Sequence, residues 1–127
     1  MAKWIAERAF DCVDPKGKRF RALARVGMPT MIPRDGDLPA HGSCPVALEP
    51  LFSERAHGGV DQFQALCLAI DLVRKALKTF VGQGGRVFFA GTDTPIQLED
   101  PSFLPHLDLE WSANRQKKSV RRKAKRR

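Results

Sequence analysis

The sequence contains no long apolar run. A membrane-spanning helix needs about 20 consecutive apolar residues, and no stretch of this 127-residue chain approaches that length. The first ten residues, MAKWIAERAF, also lack the uninterrupted apolar stretch of a secretory signal. The three cysteines, Cys12, Cys44 and Cys67, have wide and irregular spacing, which is typical of reduced thiols in a cytosolic protein. We therefore expect a cytoplasmic protein without a membrane partner.

Signatures of catalysis and metal binding are also missing. The residues that could supply a metal site or a cysteine nucleophile are His41, Cys44, His57 and Cys67, but they form neither a CxxC nor an HxxxH pair. The glycines at 82–85 follow a predicted helix instead of preceding one, so they cannot hold a phosphate at a helix N-terminus. We expect a non-enzymatic protein with no catalytic residue, no cofactor and no metal.

Acidic residues are absent from the last thirteen positions, RQKKSVRRKAKRR. The chain has 22 basic and 14 acidic residues, and nine of the basic ones lie in this tail, so residues 1–114 hold 13 basic against 14 acidic residues, a net charge of about −1. The high pI therefore belongs to the tail alone. Because such a segment cannot bury enough apolar surface to offset its ordering entropy, we expect residues 113–127 to be a disordered basic tail.

Nucleic acid is the expected partner of this tail. Lysine and arginine bind the phosphate backbone through charge, and Trp111 is the one aromatic residue nearby that could stack on a base, so we expect contacts that do not depend on sequence. The residues that we expect to make these contacts are Arg115, Lys117, Lys118, Arg121, Arg122, Lys123, Lys125, Arg126 and Arg127.

A β-hairpin is predicted for the first 27 residues. The segment Asp14-Pro15-Lys16-Gly17 is typical of a three-residue hairpin loop with a bulge. Setting Asp14 opposite Lys18 pairs apolar residues on one face and opposite charges on the other, whereas a one-residue slip scatters both sets. The predicted pairs are Cys12 with Phe20, Phe10 with Ala22 and Ala6 with Val26 on the apolar face, and Asp11 with Arg21 and Glu7 with Arg25 on the charged face.

Residues 28–43 hold three prolines and two glycines, which predicts a long connecting loop. Loops of this length are often functional, so this is the first place to look for a partner contact on the domain. The following segment, CPVALEPLF, alternates at Val46 and Leu48 between two prolines, which indicates a short edge strand. Val46 and Leu48 are therefore candidate interface residues, although proline at an edge more often blocks unwanted pairing.

A long amphipathic helix is predicted next, with Asp61 as N-cap, Gln64 as its capping-box partner, and the glycines at 82–85 as its end. Three- and four-residue spacing predicts that the sheet-packing face consists of Phe63, Leu66, Cys67, Ile70, Val73, Leu77, Phe80 and Val81. A second stripe of smaller apolar residues runs alongside and consists of Ala65, Leu68, Ala69, Leu72 and Ala76. The loop, the C-terminal segment or another chain covers this second stripe, so Leu68 and Leu72 are also candidate interface residues.

These elements predict an α+β domain, in which a small antiparallel sheet, made of the hairpin and two or three further strands, packs on one long helix. We place the domain at residues 1–100. A C-terminal segment at residues 101–112, which contains PSFLPHLDLEW, is rich in large apolar residues and is expected to dock on the domain. The disordered basic tail at residues 113–127 completes the chain.

Several short motifs resemble those of a family of small bacterial proteins catalogued as a domain of unknown function. These motifs are IAER, RVG, CPVALEPL and GVDQFQALCLAIDLV, followed by a glycine-bounded strand. The resemblance covers roughly residues 4–98. It implies a small α+β domain from a bacterial cytosol and supplies no activity or catalytic residues. The basic tail departs from the family pattern.

Two functions remain. In the first, the protein is a small non-enzymatic interaction module, an adaptor or immunity-type protein that binds a protein partner, and its tail makes sequence-independent contacts with nucleic acid. In the alternative, it is a nucleic-acid-binding protein whose tail is the principal functional element. The interaction module ranks first for the domain, and nucleic-acid contact ranks first for the tail.

Overall fold

The computed structural model describes residues 4–100. The elements are β1 (Trp4–Val13), β2 (Arg19–Gly27), β3 (Thr30–Ile32), β4 (His41–Glu49), β5 (Phe52–Gly59), α1 (Gln62–Gly82) and β6 (Arg86–Phe89). The strands pair antiparallel in one curled sheet, and α1 packs on one face of it. The predicted α+β class is confirmed, and within residues 4–100 the sheet has four strands beyond the hairpin, where two or three were predicted. The predicted docking segment at 101–112 and the basic tail at 113–127 lie outside the described residues.

The β1–β2 hairpin has the predicted register. Cys12 pairs with Phe20, and Asp11 pairs with Arg21, as do the other predicted partners. At the turn, the Gly17 N–H donates to the carbonyl of residue 14 at 2.9 Å, and Gly17 has a φ of +87°, in the left-handed region that favours glycine. The turn residues and the cross-strand charge pairs therefore select the same register.

The strand β4 is central, so the prediction of an edge strand at CPVALEPLF was wrong. Its C-terminal half pairs with β2 and its first residues pair with β3, while β5 pairs with Gly42–Leu48 and so occupies the opposite edge. Pro45 lies opposite the interruption between β2 and β3, a position at which a sheet tolerates proline. Val46 and Leu48 are fully buried in the core. Neither of these two candidate interface residues is available to a partner.

Two strands lie where the sequence pattern indicates none. The three residues of β3 lie within the predicted loop and pair with the beginning of β4. The strand β5, FSERAHGG, shows no apolar alternation, and Ser53, Glu54, Arg55 and Ala56 are exposed. Its place in the sheet depends on backbone pairing with β4, which side-chain periodicity does not reveal.

The predicted caps delimit α1. The side chain of Asp61 accepts a hydrogen bond from the Gln64 N–H at 2.8 Å, and the Gln64 side chain accepts one from the Val60 N–H at 2.7 Å. At the other end, the Gly85 N–H donates to the Phe80 carbonyl at 3.0 Å. These bonds satisfy backbone groups that the helix termini leave unpaired. No helix in the described part of the chain combines the length and apolarity needed to cross a membrane.

The face of α1 that packs on the sheet differs from the predicted one. Ala65 and Ala69, assigned to the second stripe, are fully buried in the core that α1 forms with the sheet. Phe63 and Val81, predicted to pack on the sheet, are 77% and 42% exposed. Val73, Leu77 and Phe80 of the predicted face are buried in the core, so this part of the prediction is confirmed. In the N-terminal half of α1, however, Ala65 and Ala69 of the second stripe make the contact with the sheet.

The close approach of α1 to β4 and β5 explains this difference. A Cβ atom on Gly42 would overlap the backbone carbonyl of Asp61, and one on Gly59 would overlap the backbone of Ala65. The helix backbone therefore lies almost directly on these strands at its N-terminal end. Only small side chains fit between such closely packed elements, which is why alanines occupy the contact.

Candidate interaction surface

Large apolar side chains are exposed at one end of the domain, where α1 begins beside β3. Nine such side chains are exposed within residues 4–100, and six of them lie at this end. Single exposed apolar residues are ordinary on protein surfaces, but a cluster marks a binding surface. We call this set the apolar end surface, and its members are Met28, Met31, Ile32, Leu38, Val60 and Phe63.

Two contacts hold β3 beside the start of α1. The Gln62 side-chain amide donates to the Pro29 carbonyl at 3.2 Å. Met31 pairs with Gly42 across β3 and β4, and Gly42 lies against the backbone of Asp61. Because directly paired residues share a face of the sheet, Met31 lies on the face from which the helix begins. Met31 is therefore a neighbour of the helix start, whereas Ile32, the next residue of β3, points to the opposite face of the sheet at the same end of the domain.

The connection between β3 and β4 carries Leu38 in a closed turn. Asp35 and Leu38 exchange backbone hydrogen bonds of 3.0 and 2.9 Å, and Gly36 has a φ of +57°. The Arg34 Nε donates to the carbonyl of residue 36 at 3.2 Å. A segment fixed by such bonds loses less conformational entropy on binding than a free loop. The entropic cost of a contact through Leu38 is therefore reduced.

Charged residues border the apolar end surface. Arg34, Asp35 and Asp37 flank Leu38 in the turn, and Asp61 lies between Val60 and the first turn of α1; the four charged residues are exposed. An apolar centre with a polar rim is the usual anatomy of a protein–protein interface. The arrangement therefore fits a protein partner that presents apolar side chains.

The candidate nucleophile Cys44 lies in the core. It pairs with His57 across β4 and β5, but it is fully buried and its thiol donates to the Gly27 carbonyl at 3.5 Å. Burial raises the pKa of the Cys44 thiol, which disfavours the reactive thiolate. Within residues 4–100, no group of three or more histidine, cysteine, aspartate or glutamate side chains is placed to hold a metal ion.

A shallow groove lies on the face of the sheet opposite α1. Its volume is about 390 Å³, and Arg21 and Arg25 line it. The Arg21 Nε lies 3.1 Å from an Asp11 carboxylate oxygen, and the Arg25 Nε lies 3.5 Å from one of Glu7. Because both guanidinium groups already have carboxylate partners, we assign the groove no phosphate-binding role. This agrees with the sequence interpretation of these arginines as cross-strand partners.

The remaining predicted site residues lie apart from the apolar end surface. Leu68 and Leu72 are partly buried on the flank of α1, and Leu72 packs against the core. The predicted nucleic-acid contacts at 115–127 lie outside the described residues. Four members of the apolar end surface lie in the segment 28–43, which the sequence indicated as a place for partner contact: Met28, Met31, Ile32 and Leu38. The contributions of Val60 and Phe63 were missed.

Comparisons of the chain with protein-family models, with curated proteins and with solved structures found no match. The resemblance to a domain of unknown function therefore stays a prediction. The geometry of the described residues is the basis on which a function is inferred.

Proposed function

We propose that this protein is a small non-enzymatic interaction module, an adaptor or immunity-type protein, whose domain binds a protein partner through the apolar end surface. In this proposal the basic tail makes sequence-independent contacts with nucleic acid. The observation that carries the proposal is the clustering of exposed apolar side chains, among which Phe63 is 77% and Val60 is 71% exposed. Burying apolar surface is favourable by roughly 25 cal/mol per Å², so covering these side chains would stabilise a complex.

The charge distribution supports separate binding roles for the domain and the tail. Residues 1–114 carry a net charge of about −1, whereas the tail carries nine cations. Nucleic-acid affinity depends mainly on the number of phosphates that cations neutralise. The domain is therefore suited to an apolar protein surface, and the tail is suited to a polyanion.

The alternative is that the tail is the principal functional element and the domain only carries it. The density of nine cations in thirteen residues favours this alternative. It requires no protein partner, so the two functions differ in what happens when the apolar end surface is changed. A cytoplasmic location and a bacterial origin belong to both proposals.

The test uses the full-length protein, immobilised and exposed to a lysate of the cells that produce it. Phe63→Ser and Met31→Ser each remove one side chain from the apolar end surface, and Val81→Ser removes an exposed apolar side chain from the other end of α1. We expect one protein to be retained by the unchanged form and by Val81→Ser, and to be lost or bound at least about tenfold more weakly by the other two, as for a central interface residue. Equal retention by the four forms would contradict the proposal.

A further inference from the structure

The border of the apolar end surface is acidic. The segments 28–40 and 60–64, which carry this surface, contain three acidic residues and one basic residue, so their net charge is about 1 − 3, or −2. All four charged side chains are exposed. Charges at the rim of an interface select among partners, because like charges placed opposite each other are costly. The border therefore restricts the kind of partner that this surface accepts.

The carboxylates of Asp35 and Asp37 are available to a partner. Neither takes part in an ion pair with another residue in the part of the chain that the structure describes. The neighbouring cation, Arg34, uses its Nε for a backbone hydrogen bond of 3.2 Å within the turn. Asp61 differs, because its carboxylate caps α1. Asp35 and Asp37 are therefore the acidic groups that can meet a cation on a partner.

The apolar centre of the surface suits a helix. Methionine side chains adapt to apolar groups of different shapes, and Met28 and Met31 lie at the same end of the domain as Val60 and Phe63, which are 71% and 77% exposed. An amphipathic helix presents one apolar face with polar side chains on either side of it. A partner strand is less suitable, because β3 spans only three residues and offers few backbone hydrogen bonds.

We infer that the partner of the apolar end surface is a basic amphipathic helix. Its apolar face covers Met31, Val60 and Phe63, and its lysine or arginine side chains meet Asp35 and Asp37. The apolar contact supplies most of the affinity, and the acidic border supplies the selectivity for a cationic partner. This inference rests on the proposed function and adds the class of partner to it.

A second copy of the chain fits this surface less well. Most homodimers are two-fold symmetric, and a two-fold interface uses the same surface on both subunits. Each acidic border would then lie close to its own copy, with Asp35 and Asp37 on both sides of the interface. Repulsion between these carboxylates disfavours a dimer and does not affect the docking of a basic helix.

The test measures the binding of two synthetic peptides to the full-length protein by calorimetry. Both peptides have about 14 residues, or about four helical turns, with leucine at i, i+3, i+4 and i+7; one has lysine at the remaining positions and the other has glutamine. In the acidic-border variant, Asp35→Asn/Asp37→Asn, the backbone bonds that close the turn remain. The matched control, Glu54→Gln/Asp93→Asn, removes two exposed carboxylates from β5 and from the turn after β6. Both double variants have the same net charge and the same tail.

We expect the lysine peptide to bind the unchanged protein and the control equally, and the acidic-border variant about threefold or more weakly. The glutamine peptide should bind all three forms equally, because it carries no charge for the border to attract. The difference should disappear toward roughly 1 M salt, where screening acts within about 3 Å. Equal binding of the lysine peptide to both double variants would overturn the inference. The same conclusion follows if the glutamine peptide shows an equal loss, or if the lysine peptide does not bind the unchanged protein.

Phe63→Ser separates this inference from the proposed function. If Phe63→Ser weakens the binding of both peptides and the acidic-border variant does not, the apolar end surface binds a partner without selecting its charge, and only the inference fails. If Phe63→Ser binds both peptides as the unchanged protein does, the result contradicts the surface itself. We expect the unmixed protein to sediment as a monomer, and a dimer that Phe63→Ser dissociates would overturn the inference in favour of a second copy.

Discussion

The Asp11 carboxylate accepts a hydrogen bond from the Arg21 guanidinium at 3.1 Å, across the β1–β2 pair. Its second oxygen accepts the Gly91 N–H at 2.7 Å. One carboxylate therefore joins the hairpin to the turn that follows β6. The Gly91 N–H, and after it the Arg21 guanidinium, lower the pKa of Asp11 below its ordinary value of 3.8, because both stabilise the charged form.

We predict that Arg21→Ala raises the pKa of Asp11 only part of the way to 3.8, since the stronger contact with Gly91 remains. Because the folded-state pKa is depressed, the stabilisation is present above the unfolded-state pKa and is lost as the pH falls through the folded-state value. The unchanged protein should therefore lose more stability in acid than Asp11→Asn does. An NMR titration of the Asp11 carboxyl carbon in the unchanged protein and in Arg21→Ala measures the pKa. A value of 3.8 or above in Arg21→Ala would contradict the role of Gly91.

The contact between Gly42 and the start of α1 gives a second prediction. Gly42→Ala should lower the free energy of unfolding by about 2 kcal/mol or more, because the new methyl group must displace backbone at Asp61. Gly58→Ala is the matched control on β5, since its Cβ would lie 3.8 Å from the Gly42 carbonyl oxygen, an ordinary contact. Urea unfolding measures both. Similar losses in the two variants would show that α1 does not lie against Gly42.

The exposed position of Phe63 gives a third prediction. Phe63→Ser should change the free energy of unfolding by less than about 0.5 kcal/mol, as is usual for surface substitutions. Leu77→Ala should cost about 2–5 kcal/mol, since Leu77 is fully buried. Urea unfolding distinguishes the two. A large loss in the free energy of unfolding of Phe63→Ser would instead support the sheet-facing position that the sequence pattern predicts for this residue.

Local signals in the sequence predicted the hairpin and the helix ends. Asp14 and Gly17 specify the turn, cross-strand charges specify the register, and Asp61 marks the beginning of α1; each of these acts over a few residues or between adjacent strands. The central position of β4 and the strand β5 depend instead on backbone pairing between strands. The sheet-facing side of α1 depends on its close approach to Gly42 and Gly59. A glycine that permits close packing leaves no periodic signal, and large residues such as Phe63 dominate the apparent apolar face.

The candidate surface was only partly predictable, because part of it depends on contacts between segments that are distant in the sequence. The proline-rich segment at 28–43 indicated a place for partner contact, and Met31 and Ile32 lie within it. The contribution of Val60 could not be predicted, because it depends on α1 beginning beside β3. That neighbourhood is created by the Gln62–Pro29 hydrogen bond and by the packing of α1 on Gly42.

The fourth prediction concerns the tail, RQKKSVRRKAKRR. If it binds nucleic acid through phosphates, affinity should be nearly independent of sequence and should fall steeply with salt, because each neutralised phosphate releases condensed counterions. Nine cations are present, and not all of them can reach a phosphate at once. We therefore expect a slope of about −4 to −7 for the logarithm of the binding constant against the logarithm of salt concentration on duplex DNA.

The measurement compares the full-length protein with a form that ends at Asn114, on unrelated duplex and single-stranded oligonucleotides at two salt concentrations. Loss of binding in the shorter form would assign the activity to the tail, because the remaining residues carry a net charge of about −1. Undiminished binding would instead assign nucleic-acid binding to the arginines of the hairpin, despite their ion pairs with Asp11 and Glu7. If neither form binds at low salt, the tail has no nucleic-acid role, and the apolar end surface alone carries the proposed function.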